Sequence, residues 1–219
     1  MPFLNTILDI VFPVKCISCG KKGSDLCLNC LSLSPPALRE SARWIFPLYD
    51  YRHPVIKKAL WLLKYSGKKR LANVFAEIIY EKILEELSEL SVMENFREPL
   101  LVPIPLSRKR HRERGFNQAE LICRELIKIN NPQRGMDLKL EKNILIRVRD
   151  SEHQARIRDR RERLKNMVGS FTVKNKGLVK NKNIILIDDV TTTGATLNEA
   201  KKTLKEAGAR KVIAFTVAH

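Results

Sequence analysis

The chain has 219 residues, with 41 Lys and Arg against 24 Asp and Glu, and so carries a formal charge of +17 at neutral pH. That length buries a sizeable core and leaves room for one domain with a small appendage. No apolar run approaches the roughly 20 residues of a membrane span, and Met1 to Phe12 lacks the basic start and small-residue cleavage site of a secretory signal, which points to the cytoplasm and at most a peripheral membrane contact. The excess of cations favours polyanions, whether a diphosphate ligand, a nucleic acid or an acidic membrane surface, and says nothing of fold.

Asn5 to Phe12 carries Ile7, Leu8, Ile10, Val11 and Phe12 as the apolar part of a short helix, expected to pack on the segment that follows. Cys16, Cys19, Cys27 and Cys30 then form two CxxC hooks, with Gly20 and Gly23 in the connecting turn. Such hooks suit four thiolates converging tetrahedrally on zinc. An iron-sulfur cluster uses the same ligands, and a redox dithiol needs only one hook. Zinc is favoured because so short a segment has almost no core, and a structural metal supplies on the order of 10 kcal/mol of folding energy. Pro35 and Pro36 close the finger, so residues 1–35 read as a helix and a zinc finger.

Residues 36–95 read as a helical connecting segment packed on the core. Trp44 to Tyr51 is an aromatic strand candidate interrupted by Pro47, and Val55 to Tyr65 and Leu71 to Leu90 are two helices separated by Ser66 and Gly67. Lys57, Lys58 and Lys64 read as a solvated face. Trp61 and Tyr65, four apart, read as a core stripe in preference to a base-stacking platform.

In residues 96–219, Leu100 to Pro105 is a buried strand. It empties into a basic loop of Arg108, Lys109, Arg110, Arg112 and Arg114, before a helix that starts near Phe116 and holds Cys123 as a buried small residue, not a nucleophile. In a parallel sheet ligands gather at such C-terminal strand ends, and the planar donor fork of Arg suits a diphosphate. Ile144 to Arg149 is a further strand. The stretch after it mixes Arg156, Arg158, Arg160, Arg161 and Arg163 with Asp159 and Glu162, which is either a solvated helix with internal ion pairs or a ligand-binding segment.

Ile184 to Ile187 is a β-branched run ending in Asp188 and Asp189, Val190 to Thr196 is nearly all threonine and glycine, and Leu197, Ala200, Leu204 and Ala207 then recur at helical spacing up to Gly208. A loop feeding a helix N-terminus offers free N–H groups and the positive end of the dipole to a phosphate. Thr196 with Glu199 fits a capping box. Both carboxylates can face one ligand only if Asp189 has already left the strand. They would serve a ribose diol with a magnesium ion, or else form a solvated strand end. No GxxxxGK[ST] and no strand-following GxGxxG is present. With Val212 to Val217 as a last strand, strands separated by helices imply an α/β fold with a largely parallel, doubly wound sheet.

The stretch from Ile184 to Thr196 resembles the phosphoribosyl diphosphate (PRPP) signature of type I phosphoribosyltransferases. The resemblance implies that Asp188 and Asp189 hold the ribose hydroxyls, that Thr191, Thr192, Thr193, Gly194, Ala195 and Thr196 cradle the 5′-phosphate, and that Mg²⁺ accompanies PRPP. The four-cysteine finger, VPIPLSRKRHRERGFNQAEL, and Gln154 followed by Arg163, Asn166 and Phe171 extend the likeness nearly end to end to the ComF family of competence-associated proteins. By it, Arg108, Lys109, Arg110 and Arg114, with Gly115 to Gln118, belong to the diphosphate side of the pocket, and Gln154, Arg163 and Asn166 to a segment over it. It further implies a role in natural transformation, in the handling of incoming single-stranded DNA and alongside other DNA-uptake proteins. Phosphoribosyl transfer with release of diphosphate is the implied reaction, and use of PRPP as a regulatory ligand by a DNA-binding scaffold is the alternative. Purine-salvage members usually carry an acid where this chain has Thr192, so simple 6-oxopurine salvage is disfavoured.

Overall fold

Strands form where β-branched and aliphatic residues run uninterrupted, and the two longest are β6 (Asn183–Val190) and β7 (Lys211–Ala218), both buried along nearly their whole length. A computed structural model describes residues 13–38, 42–94, 96–131, 137–148 and 167–219. The expected helix at Asn5 to Phe12 and the segment holding Gln154, Arg156 to Arg163 and Asn166 lie outside the described residues.

The other strands of the main sheet are β1 (Ile45–Tyr49), β2 (Leu100–Pro103) and β3 (Lys139–Leu140). The order is β1-β7-β6-β2-β3 and every pairing is parallel. Pro47 does not interrupt β1, because β1 is an edge strand with a strand of the sheet on one side only, so a residue without an N–H is tolerated there.

Period-two alternation divides the core between the two faces of the sheet. Ile185, Ile187, Ile213, Phe215 and Val217 pack with helices α3 (Leu71–Glu94) and α5 (Gln118–Ile129), while Ile184, Leu186, Val212 and Ala214 pack with α7 (Ala195–Glu206). The sheet is therefore covered on both faces, as the doubly wound reading requires. Cys123 is fully buried in the first layer, and burial pushes its thiol well up.

The basic run departs from expectation, and the strand expected at Ile144 to Arg149 forms. The basic run is not a loop but a short helix, α4 (Arg108–Arg114), capped at one end by the Ser107 side chain, which accepts from the Arg110 N–H at 3.3 Å, and at the other by Gly115 at φ 73°. The strand expected at Ile144 to Arg149 is β4 (Leu145–Arg147), which stands outside the main sheet and pairs antiparallel with β5 (Phe171–Val173).

The four-cysteine segment is built into the first core layer: Cys16, Leu26, Cys30 and Leu31, the last two from α1 (Leu28–Ser32), share an apolar cluster with Ile56 and Leu60 of α2 (Pro54–Tyr65). Lys68 Nζ at 2.8 Å from the buried Asp25 carboxylate and Lys58 Nζ at 2.9 Å from the Ile17 carbonyl hold it there. A last short helix, α6 (Lys176–Val179), leads into β6. No described helix is long and apolar enough to cross a membrane.

Candidate functional site

The topology itself opens the site. From β2 the chain crosses by α5 to β3, on one side of the sheet, and from β6 it crosses by α7 to β7, on the other. Pairing of β2 with β6 ends at Pro103 and Ile187, with the Ile104 N–H to Ile187 carbonyl bond of 2.9 Å as its last rung. Beyond it the chains diverge, and β6 continues on β7 alone as far as Val190. A crevice forms at such a switch point, and here it is a cavity of about 450 Å³ between the β2 and β6 ends.

One wall is the loop after β6. Thr191, Thr192, Thr193, Gly194, Ala195 and Thr196 all line the cavity. The N-cap of α7 is Gly194, in a left-handed conformation (φ 72°) and with no side chain of its own to cap the helix, while the Thr193 hydroxyl accepts from the Ala195 N–H at 3.3 Å. The capping box expected from Thr196 and Glu199 does not form: the helix starts two residues earlier, and Glu199 Oε1 instead accepts from the Gly169 N–H at 2.6 Å. A helix N-terminus facing a cavity presents its remaining donors and positive dipole to an anion.

The floor is the acid pair, and the expectation that Asp189 has left the strand is corrected, since both acids are within β6. They reach one cavity because the β2 side of the strand is open there, and each carboxylate folds back onto the chain. Asp188 Oδ1 accepts from the Asp189 N–H at 2.8 Å, and Asp189 Oδ1 from the Val190 N–H at 3.0 Å. Asp189 also forms an ion pair with Lys64 and accepts from Gln118 Nε2 at 3.3 Å. Burial and the Asp189 charge push the Asp188 carboxyl well above the usual range. Burial opposes ionisation of Asp189 too, but Lys64, and more weakly Asp188 and Arg114, outweigh it and hold that carboxyl low.

The wall opposite the threonines is α4. Because the basic run is helical, only residues one turn apart share a face: Arg110 and Arg114 line the cavity, whereas Arg108 and Lys109 are outside its lining. Arg114 Nη2 donates to the Tyr65 hydroxyl at 3.1 Å, while its Nε and Nη1 are buried with no partner among the described residues, as is Oε1 of Gln118, a residue only 2% exposed. Orphaned donors and an orphaned acceptor in one cavity call for a ligand that supplies both kinds of partner.

Sequence reasoning missed Lys64 and Arg147, which also line the cavity. Lys64 lies among Lys57 and Lys58 with no local signal that its helix turns it inward. The core-stripe reading of Trp61 and Tyr65 is likewise corrected: the side chains are 56% and 57% exposed, beside the cavity mouth.

In the four-cysteine segment the sulfurs of Cys16, Cys19, Cys27 and Cys30 lie within 4.8 Å of one another, and Cys19 and Cys27 are 3.7 Å apart. Thiolates at about 2.3 Å from one tetrahedral ion stand about 3.8 Å apart, so this cluster fits a metal ion such as zinc. Burial pushes the Cys16 thiol up, but backbone N–H groups of Cys19, Cys27 and Ser18 prevail and bring it down to about 6, which favours the ligating thiolate.

A family model described as a phosphoribosyl transferase domain matches residues 143–219. The chain is 28% identical over 204 residues to Competence protein F of Haemophilus influenzae, covering 89% of this chain and 81% of that protein. It is 32% identical over 203 residues to Competence protein ComFC of Streptococcus pneumoniae, covering 92% and 79%. Among solved structures, the hypoxanthine phosphoribosyltransferase of Trypanosoma cruzi aligns with a TM-score of 0.38 at 9% identity, over 66% of this chain and 65%, just under two thirds, of that one.

Proposed function

This chain belongs to the ComF family of competence proteins and has the type I phosphoribosyltransferase fold with an N-terminal four-cysteine cluster, and from that premise we propose that it binds PRPP and acts on incoming single-stranded DNA during uptake. One observation carries the ligand: a single cavity sets the N-terminus of α7 and its threonines across from Arg110 and Arg114, with Asp188 and Asp189 between. PRPP is a molecule with a phosphate at one end, a diphosphate at the other and a diol between. The threonine loop takes the 5′-phosphate, the acids accept from the ribose hydroxyls, and the arginine forks take the diphosphate.

Asp188 and Asp189 are the oxygen donors that would hold Mg²⁺ in this cavity, and the ion would supply charge neutralisation for the leaving group. In transfer, the bond from ribose C1 to the diphosphate oxygen breaks, the diphosphate leaves with the electron pair, and the acceptor's lone pair forms the new bond to C1. Arg110 and Arg114 stabilise the charge that develops on the leaving oxygen. Zinc in the cysteine cluster is structural in this reading, held by Cys16, Cys19, Cys27 and Cys30.

A second reading makes PRPP a regulatory ligand of a DNA-binding scaffold. It is favoured by the cavity lining, whose only carboxylates among the described residues are Asp188 and Asp189, leaving no separate base for an acceptor. Titration with PRPP and Mg²⁺, followed by assay of diphosphate on adding nucleobases, ammonia or single-stranded DNA, separates the two. Release identifies a transferase, binding without release a sensor, and no binding rejects both.

A further inference from the structure

Helix α2 carries an exposed face that its neighbours do not explain. Lys57, Trp61 and Tyr65 follow one another at intervals of four and so lie along one stripe, all three exposed. The two rings stand 6.0 Å apart with planes tilted by 44°. The Arg114 guanidinium lies 5.1 Å over the Tyr65 ring while donating to its hydroxyl, so the stripe ends at the rim of the cavity. Burying either ring would stabilise the fold, and leaving two uncovered side by side forgoes that stabilisation.

What covers them has to satisfy two conditions. Its faces must be flat and apolar to lie on the rings, and its edges anionic, because the pair is bordered by Lys57 and Arg114 in a chain of charge +17. An apolar protein surface meets the first condition and would leave the cations desolvated. Duplex nucleic acid meets the second and hides its base faces. Unpaired nucleotides meet both.

The geometry points to Trp61 and Tyr65 as a stacking platform for unpaired bases of a single-stranded nucleic acid, with Lys57 on its phosphates, so that the strand is held at the mouth of the cavity. The inference rests on the nucleic-acid part of the proposed function and assigns it a surface.

Anisotropy of a labelled oligothymidylate at low salt tests it, with Trp61→Ala, Trp61→Phe and an abasic oligomer of the same length. Trp61→Ala is expected to weaken binding by about 10- to 100-fold, the range of one lost base stack, while Trp61→Phe keeps most of the affinity. The abasic oligomer is expected to bind wild type and Trp61→Ala alike. Equal affinity of Trp61→Ala and wild type for oligothymidylate, equal affinity of wild type for abasic and thymidine strands, or a duplex with the same dependence on Trp61 would each overturn the platform. Absent binding of any oligomer would remove the DNA role with it. The PRPP reading is scored separately, since Trp61 is not in the cavity lining and Trp61→Ala should bind PRPP as wild type does.

Discussion

Asp188 and Asp189 are neighbours in one strand, and among the described residues it is Asp189 that forms the ion pair with Lys64, which acts only weakly on Asp188. A carboxyl whose folded pKa is raised binds more protons folded than unfolded, so its contribution to stability falls as pH rises above the unfolded value of about 3.9. Asp188→Asn removes that penalty, and in urea titrations the variant should match wild type near pH 3.5 and equal or exceed it at pH 8. Asp189 is the opposite case: its contribution is present above about pH 4 and lost as pH falls through its depressed folded value. Asp189→Asn leaves Lys64, 16% exposed, without its counter-charge and should cost about 2–3 kcal/mol at neutral pH. Asp188→Asn proving the more destabilising at pH 8 would refute the assignment. The acids were legible because two carboxylates closing a β-branched run have no packing use, whereas nothing near Lys64 distinguished it from Lys57 and Lys58. Its role comes from the docking of α2 against the sheet, a tertiary fact.

The β6–loop–α7 unit was legible as an element because an apolar run, a threonine loop and helical periodicity follow in order. Its exact helix start was not, since Gly194 rather than Thr196 is the cap. Gly194→Ala forces a Cβ into a left-handed backbone and to 3.3 Å from Asn198 Nδ2. It should lower stability by about 1–2 kcal/mol, read as a fall in melting temperature, and weaken PRPP through the displaced N–H groups. The helical state of Arg108–Arg114 was hidden by its charge, which reads as a loop, although Ser107 and Gly115 were the signals that could have found it. Pairing of β4 with β5 outside the sheet had no local signal at all, because register is a long-range property. For the finger, metal analysis should find about one zinc per chain, lost on replacing any of its four cysteines by serine and kept in Cys123→Ser. Chelation should also lower the melting temperature, because Cys16 and Cys30 share a core cluster with α2. Iron with visible absorption would contradict the zinc assignment.

On the scale of the whole molecule, a charge of +17 exceeds what one diphosphate ligand needs, and the cations are spread over α2, α4 and the finger. Binding of single-stranded DNA should therefore fall with salt at a slope close to −0.7 per phosphate neutralised, and a flat salt response would exclude a backbone contact. The doubly wound sheet with its switch point between β2 and β6 brings segments from four parts of the chain, Lys64, Arg110 to Gln118, Arg147 and Asp188 to Leu197, to one cavity. That convergence is the reason to assign the cavity to PRPP, and isothermal titration of PRPP with Mg²⁺ into wild type and the Asp188→Asn, Asp189→Asn double variant tests it most directly. Saturable binding to wild type and none to a double variant that retains a cooperative unfolding transition is the predicted result; an unchanged Kd in the folded double variant would contradict it.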